Sequence, residues 1–173
     1  MFPQIMLYAV VLFLFVSNAV TSARAEWQGD DNRPTRSSLA AIVEWLSANA
    51  ELALTRELPT VELVPSPELT RLRDKGLSSF YAGGGPAAVY DDASRTIYLP
   101  KTWTGKSPVE QSVLVHEMVH HMQNQAGMRY ACDDARAEPA YLAQDKWLQQ
   151  HGLSLTKEFQ IDRFTIDVLA TCM

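Results

Sequence analysis

The sequence predicts an α+β fold in which a small, mostly antiparallel sheet packs on one long helix and further helices cover the core. Apolar residues recur with helical period over residues 37–55, and two longer helices are expected over 107–125 and from 133 or 134 to about 151. Short strand-like runs stand at 59–64, 87–90 and 96–99. The last two flank a five-residue turn, Asp91-Asp92-Ala93-Ser94-Arg95, which predicts a hairpin rather than a crossover.

The first 25 residues read as a signal peptide and not as fold. Residues 5–16 form an apolar run shorter than the about 20 residues a membrane-spanning helix needs. Ala23-Arg24-Ala25 has the small-x-small form of a cleavage site. Cleavage after Ala25 implies a periplasmic or secreted protein with no stable membrane insertion. The mature 148 residues carry 14 basic and 20 acidic side chains, a net charge of −6. With no basic run, that balance argues against nucleic acid as a partner.

Residues 26–36 are a polar tail, and 37–173 are read as one domain. The helix over 37–55 buries Leu39, Ile42, Val43, Leu46, Ala50 and Ala53 on one face. Ser66-Pro67-Glu68 opens a helix with Pro in its first turn, and Gly76 ends it. Residues 80–86 hold Gly83-Gly84-Gly85 and read as a loop; no Gly-Lys-Ser/Thr follows, so it is no phosphate loop. Ser107-Pro108-Val109-Glu110 is a capping box for the helix that runs to about Gln125 and stops before Gly127. A final helix is expected over 157–171, with Phe159, Ile161, Phe164, Ile166, Val168 and Leu169 as its apolar positions.

The chemistry concentrates at His116-Glu117-Met118-Val119-His120. Histidines four apart on a helix share a face and can bind one ion, and the Glu beside the first can reach a metal-bound water as general base. Shuffling four histidines and ten glutamates through this chain gives the pattern roughly once in 200 trials, so chance is an uncommon explanation. An open catalytic zinc site needs a third protein ligand. Cys132, Asp133, Asp134 and Glu138 are the candidates. Glu138 is preferred because a helix holds it rigidly, whereas Asp133 and Asp134 suit that helix's cap and first turn. Gln123 lies three residues beyond His120 and is a candidate for the shell behind the ligands. His121 points about 100° away from His120 and reads as a surface residue. Trp103, Trp147, Tyr98 and Phe80 are core aromatics by default and cleft-lining candidates otherwise. In an exported protein Cys132 and Cys172 can form a disulfide, worth roughly 4 kcal/mol in the chain-entropy model.

The pattern resembles the gluzincin branch of zinc metallopeptidases, and exported bacterial zincin-like proteins in particular. The residues that carry the resemblance are Ile97-Tyr98-Leu99-Pro100, His116 to His120 with Gln123, and Glu138-Pro139-Ala140-Tyr141 with Gln144. It implies a zincin-like fold, one zinc ion on His116, His120 and Glu138, and Glu117 as the base. It also implies a cleft-bordering strand for extended substrates, matched here by 96–99. No residue matches the family's oxyanion donor; Tyr141, Tyr130 and His151 are the candidates. The expected activity is zinc-dependent hydrolysis of an amide bond in a peptide or protein substrate. The alternatives are a cell-wall amidase using the same zinc and a non-catalytic binding module of the cell envelope.

Overall fold

The computed structural model describes residues 32–75, 78–82, 85–132 and 134–172, and the backbone alone of 78–82 and 85–86. The expected signal peptide lies outside the described residues. Helix α1 (Arg36–Asn49) starts where Thr35, in extended conformation, accepts a 3.1 Å hydrogen bond from the Ser38 amide. Its buried positions Leu39, Ile42, Val43 and Leu46 keep the expected face. The helix ends at Asn49, short of the expected 55, and Glu51 turns the chain with φ 55°.

Strand β1 (Thr60–Val64) and helix α2 (Ser66–Asp74) follow as expected. The region read as a loop over 80–86 is instead mostly strand: β2 (Ser78–Ala82) pairs antiparallel with β3 (Gly85–Asp91). The glycines and Pro86 dominate a local reading, but cross-strand pairing decides the outcome. The register slips between Phe80 and Tyr81, and Pro86 sits past that irregularity, where a missing N–H is tolerated.

β3 and β4 (Thr96–Pro100) form the expected hairpin, with Tyr90 opposite Ile97. Asp91 ties the turn by accepting from the Ala93 amide at 2.9 Å and the Ser94 hydroxyl at 2.7 Å. The sheet order is β1-β4-β3-β2, with β1 parallel to β4 and the other two pairings antiparallel. This is a mixed α+β architecture. β4 is therefore an inner strand: Thr96, Ile97 and Tyr98 are paired on both sides. The expectation that 96–99 borders a cleft for an extended substrate is corrected over 96–98, because backbone paired on both sides has no groups left for a ligand; Leu99 is paired with β1 alone.

Helix α3 (Pro108–Gln125) starts at a complete capping box. Burial works against ionisation of Glu110, yet hydrogen bonds from Thr104, Ser107 and Lys106 outweigh it and hold the carboxyl below its ordinary range. Gly105 has φ 64°, and a Cβ there would stand 2.4 Å from the Trp103 ring, so this loop requires glycine. Trp103 itself is core.

A 3-10 turn (Asp134–Arg136) precedes α4 (Ala137–Gln149), so Asp134 does not cap that helix; Arg136 occupies the cap position without a side-chain bond. Asp133 lies outside the described residues. The single C-terminal helix expected over 157–171 is two: α5 (Leu155–Phe159) and α6 (Arg163–Leu169). Gln160 breaks it with φ 59°, and Asp162 restarts it by accepting from the Thr165 amide at 2.8 Å. Ile161 and Ile166 are buried, while Phe164 and Val168 are exposed. Cys132 and Cys172 form a disulfide with Cα atoms 5.8 Å apart, which fixes the C-terminus beside the start of the 3-10 turn. No helix among the described residues is long and apolar enough to cross a membrane.

Candidate functional site

α3 is buried on every side from Gln111 to Gln123, between the sheet, α1 and α4. A helix with no solvent face belongs to the centre of a core. This one nevertheless carries His116, Glu117, His120 and His121 there, each at most 1% exposed. The His116 and His120 rings meet edge-on, with centroids 5.1 Å apart and an interplanar angle of 73°.

Two hydrogen-bond relays fix these imidazoles. The Ser112 hydroxyl donates to the Val109 carbonyl at 2.7 Å, so its oxygen accepts from the Gln144 amide nitrogen at 3.2 Å. That orients the Gln144 amide oxygen toward His116 Nδ1 at 3.1 Å, and Nδ1 must donate. The second relay is built the same way. Gln123 donates from its amide nitrogen to the Arg136 carbonyl at 3.1 Å, and its amide oxygen accepts from His120 Nδ1 at 3.1 Å. Each chain ends on a backbone carbonyl, which can only accept. Both rings therefore carry the proton on Nδ1 and the lone pair on Nε2, the arrangement of a metal-ligating histidine backed by an outer carbonyl.

Burial, and then the neighbouring His120, push the His116 pKa well below its ordinary value. Burial, and then Arg136, push His120 down to about 4. Both rings are neutral at pH 7, as ligation requires. The sign of the linked stability follows. Below the unfolded value near 6.5 the unfolded chain takes up protons that folded His120 refuses until about pH 4. The metal-free protein is expected to hold full stability above pH 6.5 and to lose about 3 kcal/mol on His120's account as pH falls to 4. Thermal melts of chelator-treated protein across that range check this, and His120→Leu should flatten the curve.

The third histidine is not the surface residue its position suggested. His121 is 0% exposed; its Nε2 donates to the Glu57 carbonyl at 2.8 Å and its Nδ1 accepts from the Tyr90 hydroxyl at 3.2 Å. With both nitrogens engaged, it stitches α3 to the segment before β1.

The other candidates fall in different places. Tyr141 packs edge-on against His116, with ring centroids 4.7 Å apart. Glu138 lies in the first turn of α4 and accepts from Arg163 at 2.6 Å, on the face it shares with Pro139, Leu142 and Lys146. Among the described residues no three His, Cys, Asp or Glu side chains stand close enough to hold a metal ion. The structure therefore does not gather Glu138 with the imidazoles. Asp134 is exposed in the 3-10 turn. His151 is exposed beyond the end of α4 and packs on Trp147; it is not brought to the pair. Tyr130 lines a cleft of about 600 Å³ with Asp92, Gln123, Met128, Arg129 and Arg136, which reaches the residues behind His120. Burial raises the Tyr130 pKa above 10.0, so it stays a phenol near neutrality.

A family described as a domain of unknown function, DUF6647, matches residues 31–173. The chain belongs to the DUF6647 family. No curated protein and no solved structure matches it. The DUF6647 match begins after the expected signal peptide and takes in the whole described fold. Three residues of this DUF6647 chain behind the imidazoles escaped the sequence reading as site residues: Ser112, Gln144 and Arg136. Gln144 had a readable signal, since it interrupts an otherwise apolar face of α4 formed by Ala140, Tyr141, Ala143, Trp147 and Leu148. Arg136 had none, because its role depends on a turn that folds back onto α3.

Proposed function

We propose that this DUF6647 protein is a zinc-dependent hydrolase of amide bonds, acting on a peptide or protein substrate outside the cytoplasm. The observation that carries the reading is the pair of relays that leaves two buried, neutral imidazoles, one turn apart, with their lone pairs on Nε2. Two such imidazoles are donors that zinc accepts, while among the described residues no third ligand stands beside them. Glu138 is the carboxylate assigned to the third ligand position. Its partner Arg163 is 59% exposed, and exposed ion pairs contribute about 1 kcal/mol or less, so ligation can displace it. Zinc on His116, His120 and Glu138 would supply a Lewis acid and a water of lowered pKa. Glu117, next to His116 on α3, would be the general base for that water and the proton donor to the leaving nitrogen. Tyr141, whose ring packs against His116, is the residue we assign as donor to the oxyanion.

A second reading has an observation of its own. His116, Glu117 and His120 are 1%, 0% and 1% exposed, and a closed site suits a zincin-like binding module with a structural ion. Metal analysis of the mature protein beside His116→Ala, Glu138→Ala and Glu117→Gln separates the two. The hydrolase reading expects one zinc per chain, lost in His116→Ala and weakened in Glu138→Ala, with hydrolysis of an unstructured protein substrate by the wild type alone. Zinc without hydrolysis of peptides or cell-wall amides would favour the binding module. No zinc in any form would end both metal readings.

A further inference from the structure

The two relays differ in where they end. The His116 relay stays within α3 and α4 and terminates on Val109, seven residues earlier in the same helix. The His120 relay leaves the helix pair and terminates on Arg136, in the 3-10 turn. The Arg136 guanidinium returns to the same place. It donates to the His120 carbonyl at 3.2 Å, to the Gln123 amide oxygen at 3.5 Å, and to both carboxylate oxygens of Asp92 at 2.5 and 3.0 Å. One residue thus holds the backbone of His120, both ends of the amide that orients its ring, and the β3–β4 turn. Only a planar, multiply donating group can do this, and Arg136 is mostly buried in doing it, its side chain 11% exposed.

The turn that carries Arg136 is held from outside. Cys132, four residues before Arg136, is bonded to Cys172 just past α6. Two residues after Arg136, Glu138 pairs with Arg163 at the start of α6. The segment around Arg136 is therefore tied to the end of the chain covalently at Cys132, and the exposed Glu138–Arg163 pair adds little to that hold. Among the described residues, Ser112 and Gln144 of the His116 relay lie in α3 and α4, away from that disulfide.

We infer that Arg136 is a positioning residue for His120 and that the Cys132–Cys172 disulfide holds Arg136 in place. The inference rests on the reading of His120 as a metal ligand, but its first readout needs no metal. Long-range proton–nitrogen spectra of the imidazoles in metal-free protein report which nitrogen of each ring is protonated. In the wild type both rings should carry the proton on Nδ1. In Arg136→Ala, His120 should drift toward a tautomer mixture while His116 stays fixed, and zinc affinity, measured by chelator competition, should fall about 10-fold. Arg136→Lys, with one ammonium in place of the fork, should fall between. The disulfide-free Cys132→Ser/Cys172→Ser protein should reproduce the Arg136→Ala pattern at His120.

A His120 tautomer unchanged in Arg136→Ala, or His116 and His120 loosening together, would overturn the positioning role. A folded disulfide-free protein with an unchanged His120 would overturn the tether. A His120-only change in a protein that binds no zinc would support the hold of Arg136 on His120 and overturn the metal reading instead.

Discussion

Glu117→Gln is expected to bind zinc as the wild type does and to hydrolyse its substrate about 10²- to 10⁴-fold more slowly. Gln keeps the size and shape of a side chain that is 0% exposed in the packed centre of α3, so the two imidazoles and their relays are undisturbed. It removes only the group that accepts the proton. Metal-free Glu117→Gln should therefore melt no lower than the wild type, and stability and activity part company at this one position. Metal content, turnover and a melt on the same preparation test all three. Loss of zinc would make Glu117 a ligand, and full activity would remove it from the chemistry.

Removing the Cys132–Cys172 bond is expected to cost roughly 4 kcal/mol and to lower the melting temperature by about 10 °C. The bond closes a loop of 40 residues that contains all of α4, α5 and α6. Without it the C-terminal segment is held by Ile161 and Ile166 in the core and by the exposed Arg163–Glu138 pair, which adds little. Melts of the Cys132→Ser/Cys172→Ser protein, in metal-free buffer so that altered zinc binding does not contribute, measure the effect. A shift below 2 °C would mean that the unfolded chain gains almost no freedom when the bond is cut.

Legibility followed the range of the interactions. The Ser107 capping box, the Asp91–Arg95 turn and the helical periods of α1, α3 and α4 are local patterns; the box, the turn and α3 form where the sequence places them, while α1 and α4 form but are shorter than expected. Residues 80–86 read as a loop because Gly83-Gly84-Gly85-Pro86 argues against strand locally, whereas the pairing of β2 with β3 is a long-range effect. The break at Gln160 was hidden because the apolar period of the C-terminal segment runs on across it. At the site, the His-Glu-x-x-His spacing placed the right residues on one helix, but it carried no information about what stands behind them. The relays join α3 to residues 13 and 28 positions away, and only the folded chain brings these together.

The inner position of β4 also orders the assembly of this molecule in time. β2, β3 and β4 are consecutive antiparallel strands, and their contacts need only short turns to close. The remaining pairing, Thr60 opposite Thr96, spans 36 residues, and loop closure of that length slows the docking of β1. Glu57, whose carbonyl receives His121, lies three residues before β1 and arrives with it. His121 thus gains its Glu57 partner only with the slowest pairing of the sheet, and the pinning of α3 to the segment before β1 is a late step of folding.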